Sequence, residues 1–386
     1  VNKKNKVLEL IEFLFVKFIF SIFKLFNYKK GIKFGSKLFQ ILYFIPLLKK
    51  IAYKNLDIIF YDYENYSNKN NINLPFKLFK KKVYLKNLQN LGKIFFSIIY
   101  LPKIELLKFE NIILKTDINY IKEILNRDKG FIAVTLHCGN WEIMGTFFSQ
   151  LGLPINVIMR PLDNKLLNNY LEKFRTDKGL KIISKFDSPI KFLRPVLKNE
   201  ILAILADQNT LKHGIFIPFF KRIASSNQGA AKIHLLTKGE LLLIYSYYDN
   251  DKLIIENEPY LNIFEEYNKI DKNLKIKLFI FNYYFNLKNI SIPISFFNDL
   301  VDLSNYNEKI VNIDQTEKDK IIESFENKIY QKLFNFDNLE EEEKIFFINY
   351  IIHKKFEIII KNHPDNWMLI HERWKKQPAN FSYLYK

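Results

Sequence analysis

The stretch FIAVTLHCGNWEIMGTFFSQL (131–151) decides how the chain is read. Its opening, FIAVTL (131–136), is a short apolar run of the kind that forms a buried strand. WEIMGTFFSQL (141–151) carries a helical pattern. Between them stand His137, Cys138, Gly139 and Asn140, with a glycine where the backbone can turn tightly. Strand, polar turn and helix open a βα unit, and ligands in such sheets bind beyond the carboxyl ends of strands.

The pattern repeats downstream. INVIMR (155–160), LKIIS (180–184) and ILAILAD (201–207) read as buried strands, with LLNNYLEKFRTD (166–177) and SPIKFLRPVLKN (188–199) as helices between them. Alternation of this kind predicts an α/β fold, a mainly parallel sheet flanked by helices. FIPFF (216–220), ELLLIYSYYD (240–249) and KLIIENEPY (252–260) are expected to extend the sheet. His137, Arg160 and Asp207 each follow a strand end, so three polar residues are expected along one sheet edge. Eight of the 11 glycines fall in residues 130–239, where the tightest geometry is expected. Residues 262–345 are rich in Asn, Lys and Phe, and the acidic run Glu340–Glu343 reads as a solvated helix start. In NHPDNWMLIHERWKKQP (362–378) aromatic and basic residues interleave, as in a membrane- or substrate-facing helix.

The net charge is +18 over 386 residues. Such a balance points to nucleic acid, anionic lipid or an acidic protein. The excess is mostly Lys and arrives with abundant Ile and Asn, a bias of A/T-rich coding. No RNP-like motif, zinc-ligand spacing or Arg-rich recognition helix is present, so no nucleic-acid partner is expected. A single cysteine forms no internal disulfide and fits a reducing, cytoplasmic-side location.

VLELIEFLFVKFIFSIFKLF (7–26) would span about 30 Å as a helix, roughly one bilayer core. Glu9, Glu12, Lys17 and Lys24 interrupt it, and with Ser21 they fall on one half of the wheel. A core helix, a signal peptide and a membrane helix compete, and no small-residue cleavage site supports the second. The expectation is an N-terminal membrane-associated helix, tilted across the bilayer or lying in its interface. Lys24, Lys29, Lys30, Lys33 and Lys37 would keep the rest of the chain on the cytoplasmic side. LFQILYFIPLLKKIAYKNL (38–56), broken by Pro46, reads as further surface-binding helix. Residues 1–60 are thus expected to anchor and residues 61–386 to form the catalytic domain.

His137 has the chemistry of a general base, since imidazole titrates near neutrality. Glu142 is the nearby carboxylate that could orient it. On one helix positions i and i+5 point about 140° apart, so the two meet only if His137 lies in the turn. Spacing leaves a second reading open: a hydrogen-bonded core histidine, and a first-turn glutamate favoured by the helix dipole. Cys138 reads as a small buried thiol, because adjacent residues leaving a strand point in opposite directions. His213, His234, His353, His363 and His371 have no metal-binding context, so no metal is expected. Arg160 and Arg175 suit a phosphate, although Arg175 also reads as a surface residue. Asp207–Gln208 is either part of a site or a helix cap.

These blocks resemble the lipid A late acyltransferases, a lauroyl/myristoyl transferase family of the lysophospholipid acyltransferase-like superfamily. HCGNWE (137–142) is similar to the family's His-x-x-x-x-Asp/Glu motif. VIMRPLDNKLLNNYLEKFRTDKG (157–179) resembles its next block at Arg160, Pro161, Asn164, Arg175 and Gly179. LADQ (205–208), SSNQGAAKIHLLTKG (225–239) and PDNWMLIHERW (364–374) resemble later blocks, in the same order. The resemblance implies transfer of an acyl chain from acyl carrier protein, or coenzyme A, to a hydroxyl of a lipid A precursor at the cytoplasmic face of the inner membrane. It implies His137 as base, Glu142 as its partner, and Arg160, Asn164, Arg175, Asp207 and Gln208 in substrate binding. No cofactor is implied. The charge would suit an acidic carrier protein and a phosphorylated acceptor. Three positions depart from the family: Lys221 stands where it has glycine, Glu372 replaces an arginine and Leu369 a tryptophan. Two other readings are an acyltransferase for another glycolipid or lysolipid, and a non-catalytic lipid-binding protein.

Overall fold

Seven strands form one sheet in the computed structural model, which describes residues 6–103, 105–127, 130–258, 261–287, 292–308, 310 and 312–385. They are β1 (Ile112–Leu114), β2 (Phe131–Thr135), β3 (Ile155–Met159), β4 (Lys181–Ser184) and β5 (Ile201–Leu205), then β8 (Glu240–Asp249) and β9 (Lys252–Asn257). The hairpin β6 (Ile215–Phe219) and β7 (Arg222–Ser226) lies outside that sheet. The spatial order is β1-β9-β8-β2-β5-β3-β4. Strands β8, β2, β5, β3 and β4 run parallel, while β9 and its parallel neighbour β1 run the opposite way. Every residue of β2 is buried, as expected for a central parallel strand covered on both faces.

The helices Trp141–Gln150, Lys165–Thr176 and Pro189–Leu197 connect β2 to β5. Asn140 caps the first of them by accepting the Ile143 N–H (3.0 Å). Asn164 caps the second through the Leu167 N–H (3.1 Å). The expected strands and helices of this section all form. Pro259 and Tyr260, at the end of the KLIIENEPY run, lie outside the described residues.

FIPFF does not extend the sheet. It pairs antiparallel with β7, because Phe220 and Lys221 both adopt left-handed backbone (φ 50° and 52°) and fold the chain back within two residues. That is the geometry of a tight hairpin turn, and it explains why glycine would suit position 221.

The described residues of 262–345 form part of a helical layer with a phenylalanine-rich core that includes Phe281, Phe297 and Phe346. The run Glu340–Glu343 does start a helix (Glu341–Asn362), closed by a reciprocal capping box between Glu340 and Glu343. Glu343 is not solvated: it is buried and accepts from Tyr283 Oη (2.8 Å) and Lys332 Nζ (2.8 Å). The segment beyond that helix is not a membrane-facing helix. It is an irregular strap with Trp367, Arg373 and Trp374 fully buried.

The helix Lys6–Phe23 buries no side chain. Among the described residues no helix is long and apolar enough to cross a membrane. Its inner side packs on the helix Lys165–Thr176, with Phe20 against Tyr170 and Phe174. The next apolar stretch is interrupted at Pro46 as expected: a short helical turn, Gln40–Phe44, ends before it and extended Ile45 separates the two. Pro46 occupies the first turn of the helix Pro46–Ile59, where its missing N–H is no loss, and that helix buries Ile51, Ala52, Leu56, Ile58 and Ile59.

Gly35 and Gly92 let the helices Tyr28–Phe39 and Phe76–Tyr100 cross in close contact. A Cβ on Gly92 would lie 2.3 Å from the Gly35 carbonyl oxygen. Gly92→Ala is expected to lower the unfolding free energy by about 1–3 kcal/mol in denaturant titration. Gly145→Ala, in the helix Trp141–Gln150 where a Cβ would sit 3.7 Å from Leu180, is expected to be neutral or stabilising.

Candidate active site

β2 and β5 are neighbours, so the segments leaving their carboxyl ends meet. His137 leaves β2 and Asp207 leaves β5. His137 Nδ1 lies 2.7 Å from Asp207 Oδ1, and the His137 backbone N–H donates to Oδ2 (2.9 Å). The Trp367 indole N–H donates to the same Oδ2 (2.8 Å). Asp207 is 2% exposed. Burial alone would raise its pKa, but the His137 imidazole, the two His137 bonds and Trp367 outweigh burial and hold it down at about 2. An ionised carboxylate only accepts, so Nδ1 carries a proton, and Nε2 is the ring nitrogen that faces other partners. Gln208 places its side-chain nitrogen 3.3 Å from that Nε2.

The turn that presents His137 is over-determined. Gly139 has φ +59°, and a Cβ there would lie 2.3 Å from the Ser246 carbonyl oxygen on β8. Its N–H donates to Asn366 O (3.1 Å), and the Met368 N–H donates to His137 O (3.0 Å). Asn140 is fully buried; its backbone N–H donates to Ser246 Oγ (3.0 Å) and its side-chain amide to Ser97 Oγ (3.0 Å) and Tyr248 Oη (2.9 Å). Cys138 is completely buried, and burial pushes its thiol pKa well above the ordinary range. It packs; it is not poised to attack.

The expected pairing of His137 with Glu142 does not form. The helix begins at Trp141, so its first turn aims Glu142 at the helix Lys165–Thr176. Arg175 there takes both carboxylate oxygens, Nε to Oε2 at 2.7 Å and a terminal nitrogen to Oε1 at 2.8 Å. Trp141 stands edge-on to the imidazole instead, with ring centroids 4.9 Å apart. Spacing along the chain favoured Glu142, whereas strand adjacency put Asp207 there. Trp367, 230 positions beyond His137, carried no sequence signal for this contact.

A cavity of about 480 Å³ lies beside the turn. Phe20, Phe96, Ile99 and Leu171 are among its apolar walls, and Glu142, Arg160 and Arg175 give it a charged side. His137 is not among the residues on its wall; Glu142, five positions along the chain and held by Arg175, is. Arg160 is largely exposed and reaches only Asp163 (3.3 Å), so it shares the sheet edge without joining His137 and Asp207. Asn164 is buried and spent on structure: beyond its cap it donates to Glu9 O (2.8 Å) and Glu12 Oε2 (3.0 Å), tying down the N-terminal helix. Among the described residues no group of three or more His, Cys, Asp or Glu is placed to hold a metal ion.

The fold and site together are a mostly parallel α/β sheet that carries a carboxylate-held imidazole at its carboxyl edge. Residues 2–270 match the bacterial lipid A biosynthesis acyltransferase family, and the chain belongs to it. It is also similar to a phosphatidylinositol mannoside acyltransferase of Mycolicibacterium smegmatis, at 21% identity over 139 residues. That match covers 35% of this chain and 46% of the relative, so the chain spans less than half the length of the curated relative it matches.

Because the folded pKa of Asp207 lies below its ordinary 3.8, its ionised form adds stability above that value. The gain is lost as pH falls through about 2. Asp207→Asn is expected to cost about 2 kcal/mol at neutral pH. The difference from wild type should shrink as pH falls from 4 toward 2, followed by denaturant unfolding at each pH.

Proposed function

We propose that the protein transfers a fatty acyl chain from acyl carrier protein, or coenzyme A, to a hydroxyl of a lipid A precursor, with His137 as general base. The observation that carries this reading is the Asp207–His137 pair beside an apolar cavity with a charged side. In the resting site Gln208 donates to His137 Nε2. The acceptor hydroxyl takes that place, and its proton passes to Nε2 as its oxygen attacks the thioester carbonyl. Asp207 stabilises the imidazolium that forms. The tetrahedral intermediate collapses, the carbon–sulfur bond breaks, and the thiolate leaves with the proton held on Nε2.

The remaining groups take supporting roles. The cavity receives the acyl chain. Arg175, oriented by Glu142, and Arg160 bind acceptor or donor phosphate. An Arg–carboxylate pair this enclosed is worth retaining for orientation even where its net stability is small.

The helix Lys6–Phe23 is read as lying in the interface of the inner membrane, with the catalytic domain on its cytoplasmic side. Val7, Ile11, Leu14, Phe18 and Ile22 recur at helical spacing on its exposed side, with Phe18 64% exposed. Lys24, Lys29, Lys30, Lys33 and Lys37 come next in the chain, where anionic headgroups would meet them. A second reading keeps the chemistry and changes the acceptor to another glycolipid. The similarity to a mannoside acyltransferase favours considering it.

Purified membranes carrying the protein are expected to move acyl chains from acyl carrier protein to a tetraacylated lipid A precursor. His137→Ala should lower that rate by at least about 10³-fold while leaving the thermal unfolding midpoint within a few degrees. Unchanged transfer would remove His137 from the mechanism. Mass spectra of lipids from a deletion strain separate the acceptors: fully acylated lipid A there, with another glycolipid underacylated, would favour the second reading.

A further inference from the structure

The strap beyond the last helix supplies more than Trp367. We propose that His371 is a positioning residue for the reaction: by accepting the Asn209 backbone N–H it holds Asp207 and Gln208 in register against His137. The proposal rests on the reading of His137 as the base.

Asp207, Gln208 and Asn209 leave β5 without regular secondary structure. Their placement therefore depends on partners from elsewhere in the chain. Asn209 is held twice by the strap. Its N–H donates to His371 Nε2 (3.1 Å), and its side-chain Oδ1 accepts the Lys376 N–H (3.0 Å). The Gln208 amide also rests on Met368 Sδ (3.7 Å). A shift of Asn209 would carry with it both groups that meet the two ring nitrogens of His137.

His371 is itself well placed for this task. Its Nε2 accepts, so its proton sits on Nδ1 and the ring is neutral. Burial, only partly opposed by the charge of Asp207, lowers its pKa to about 4 and keeps it in that form at neutral pH. Its carbonyl accepts from Asn55 Nδ2 (2.8 Å), which also bonds Leu369 O (2.8 Å). Tyr385 Oη in turn donates to Asn55 Oδ1 (2.6 Å). Two residues on, the buried Arg373 donates to Ser225 O (2.7 Å) and Ser226 Oγ (2.6 Å). Ser225 O also accepts the Thr210 N–H (3.2 Å). The same strap thus ties the loop at 207, 208, 209 and 210. His371 is not among the residues lining the cavity, and its hydrogen bond goes to Asn209, so its effect is exerted through the loop.

The test compares His371→Gln, whose side-chain oxygen can accept at a similar reach, with His371→Asn, which is polar but too short. Two readouts are taken on the full chain: transfer kinetics, and the low-field ¹H–¹⁵N signal of the His137 Nδ1–H in histidine-labelled protein, assigned by its loss in His137→Ala. Expected for His371→Asn is a fall in kcat of about 10²-fold, with KM within about twofold, and a broadened or absent Nδ1–H signal. His371→Gln should keep the signal and recover most of kcat. Equal behaviour of the two variants in both readouts, whether both intact or both impaired, overturns the proposal. The signal needs no substrate. Its dependence on residue 371 is therefore read even where no acyl transfer is found in wild type, an outcome that would count against the proposed function alone.

Discussion

Three N–H groups, two of His137 and one of the distant Trp367, converge on one carboxylate. Asp207 takes both His137 bonds and the Trp367 indole. Moving an ion of this size out of water costs several kcal/mol. Hydrogen bonds to a charged group return roughly 1.5–3 kcal/mol each, so the three donors together offset that cost and favour the ionised carboxylate. Those donors come from β2 and the C-terminal strap, and the acceptor from β5. The electrostatic requirement of one buried group therefore holds three segments in a single arrangement. It is also what places a proton on His137 Nδ1 and leaves Nε2 to face other partners.

A second carboxylate beside the same turn has a different role because its surroundings differ. Glu142 stands at a helix start and meets the Arg175 guanidinium, so its charge is neutralised locally and its geometry is set by two parallel bonds. The two acids divide the site. One holds the imidazole on the sheet edge, and the other holds a cation on the wall of the apolar cavity. Trp141, between His137 and Glu142 in sequence, stands edge-on to the imidazole.

The cavity in turn depends on how the N-terminal helices seat. Helix Phe76–Tyr100 brings Phe96 and Ile99 to its wall, and its approach to helix Tyr28–Phe39 is close only because Gly35 and Gly92 face each other. Helix Lys6–Phe23 closes one side with Phe20. Buried Asn164 secures it by bonding a backbone carbonyl and Glu12. The carboxylate of Glu12, one of the charges that made this segment a poor membrane span, thus has a local partner.

What the sequence determined by itself was local. Short apolar runs between helical patterns marked the strands of the main sheet from 131 to 257, because burial on both faces leaves a signal in consecutive residues. A histidine and a glycine between strand and helix marked the turn, because position after a strand is a property of neighbours in the chain. Tertiary structure alone decided which carboxylate reaches His137. β5 pairs with β2 although 65 residues separate Thr135 from Ile201, and nothing local encodes that adjacency. It also decided that FIPFF turns back on itself, that the aromatic and basic strap is buried, and that Gly35 meets Gly92. Each of these depends on what a distant segment offers in contact: a donor to a buried acceptor, a ring to an apolar face, or a backbone with no Cβ in the way.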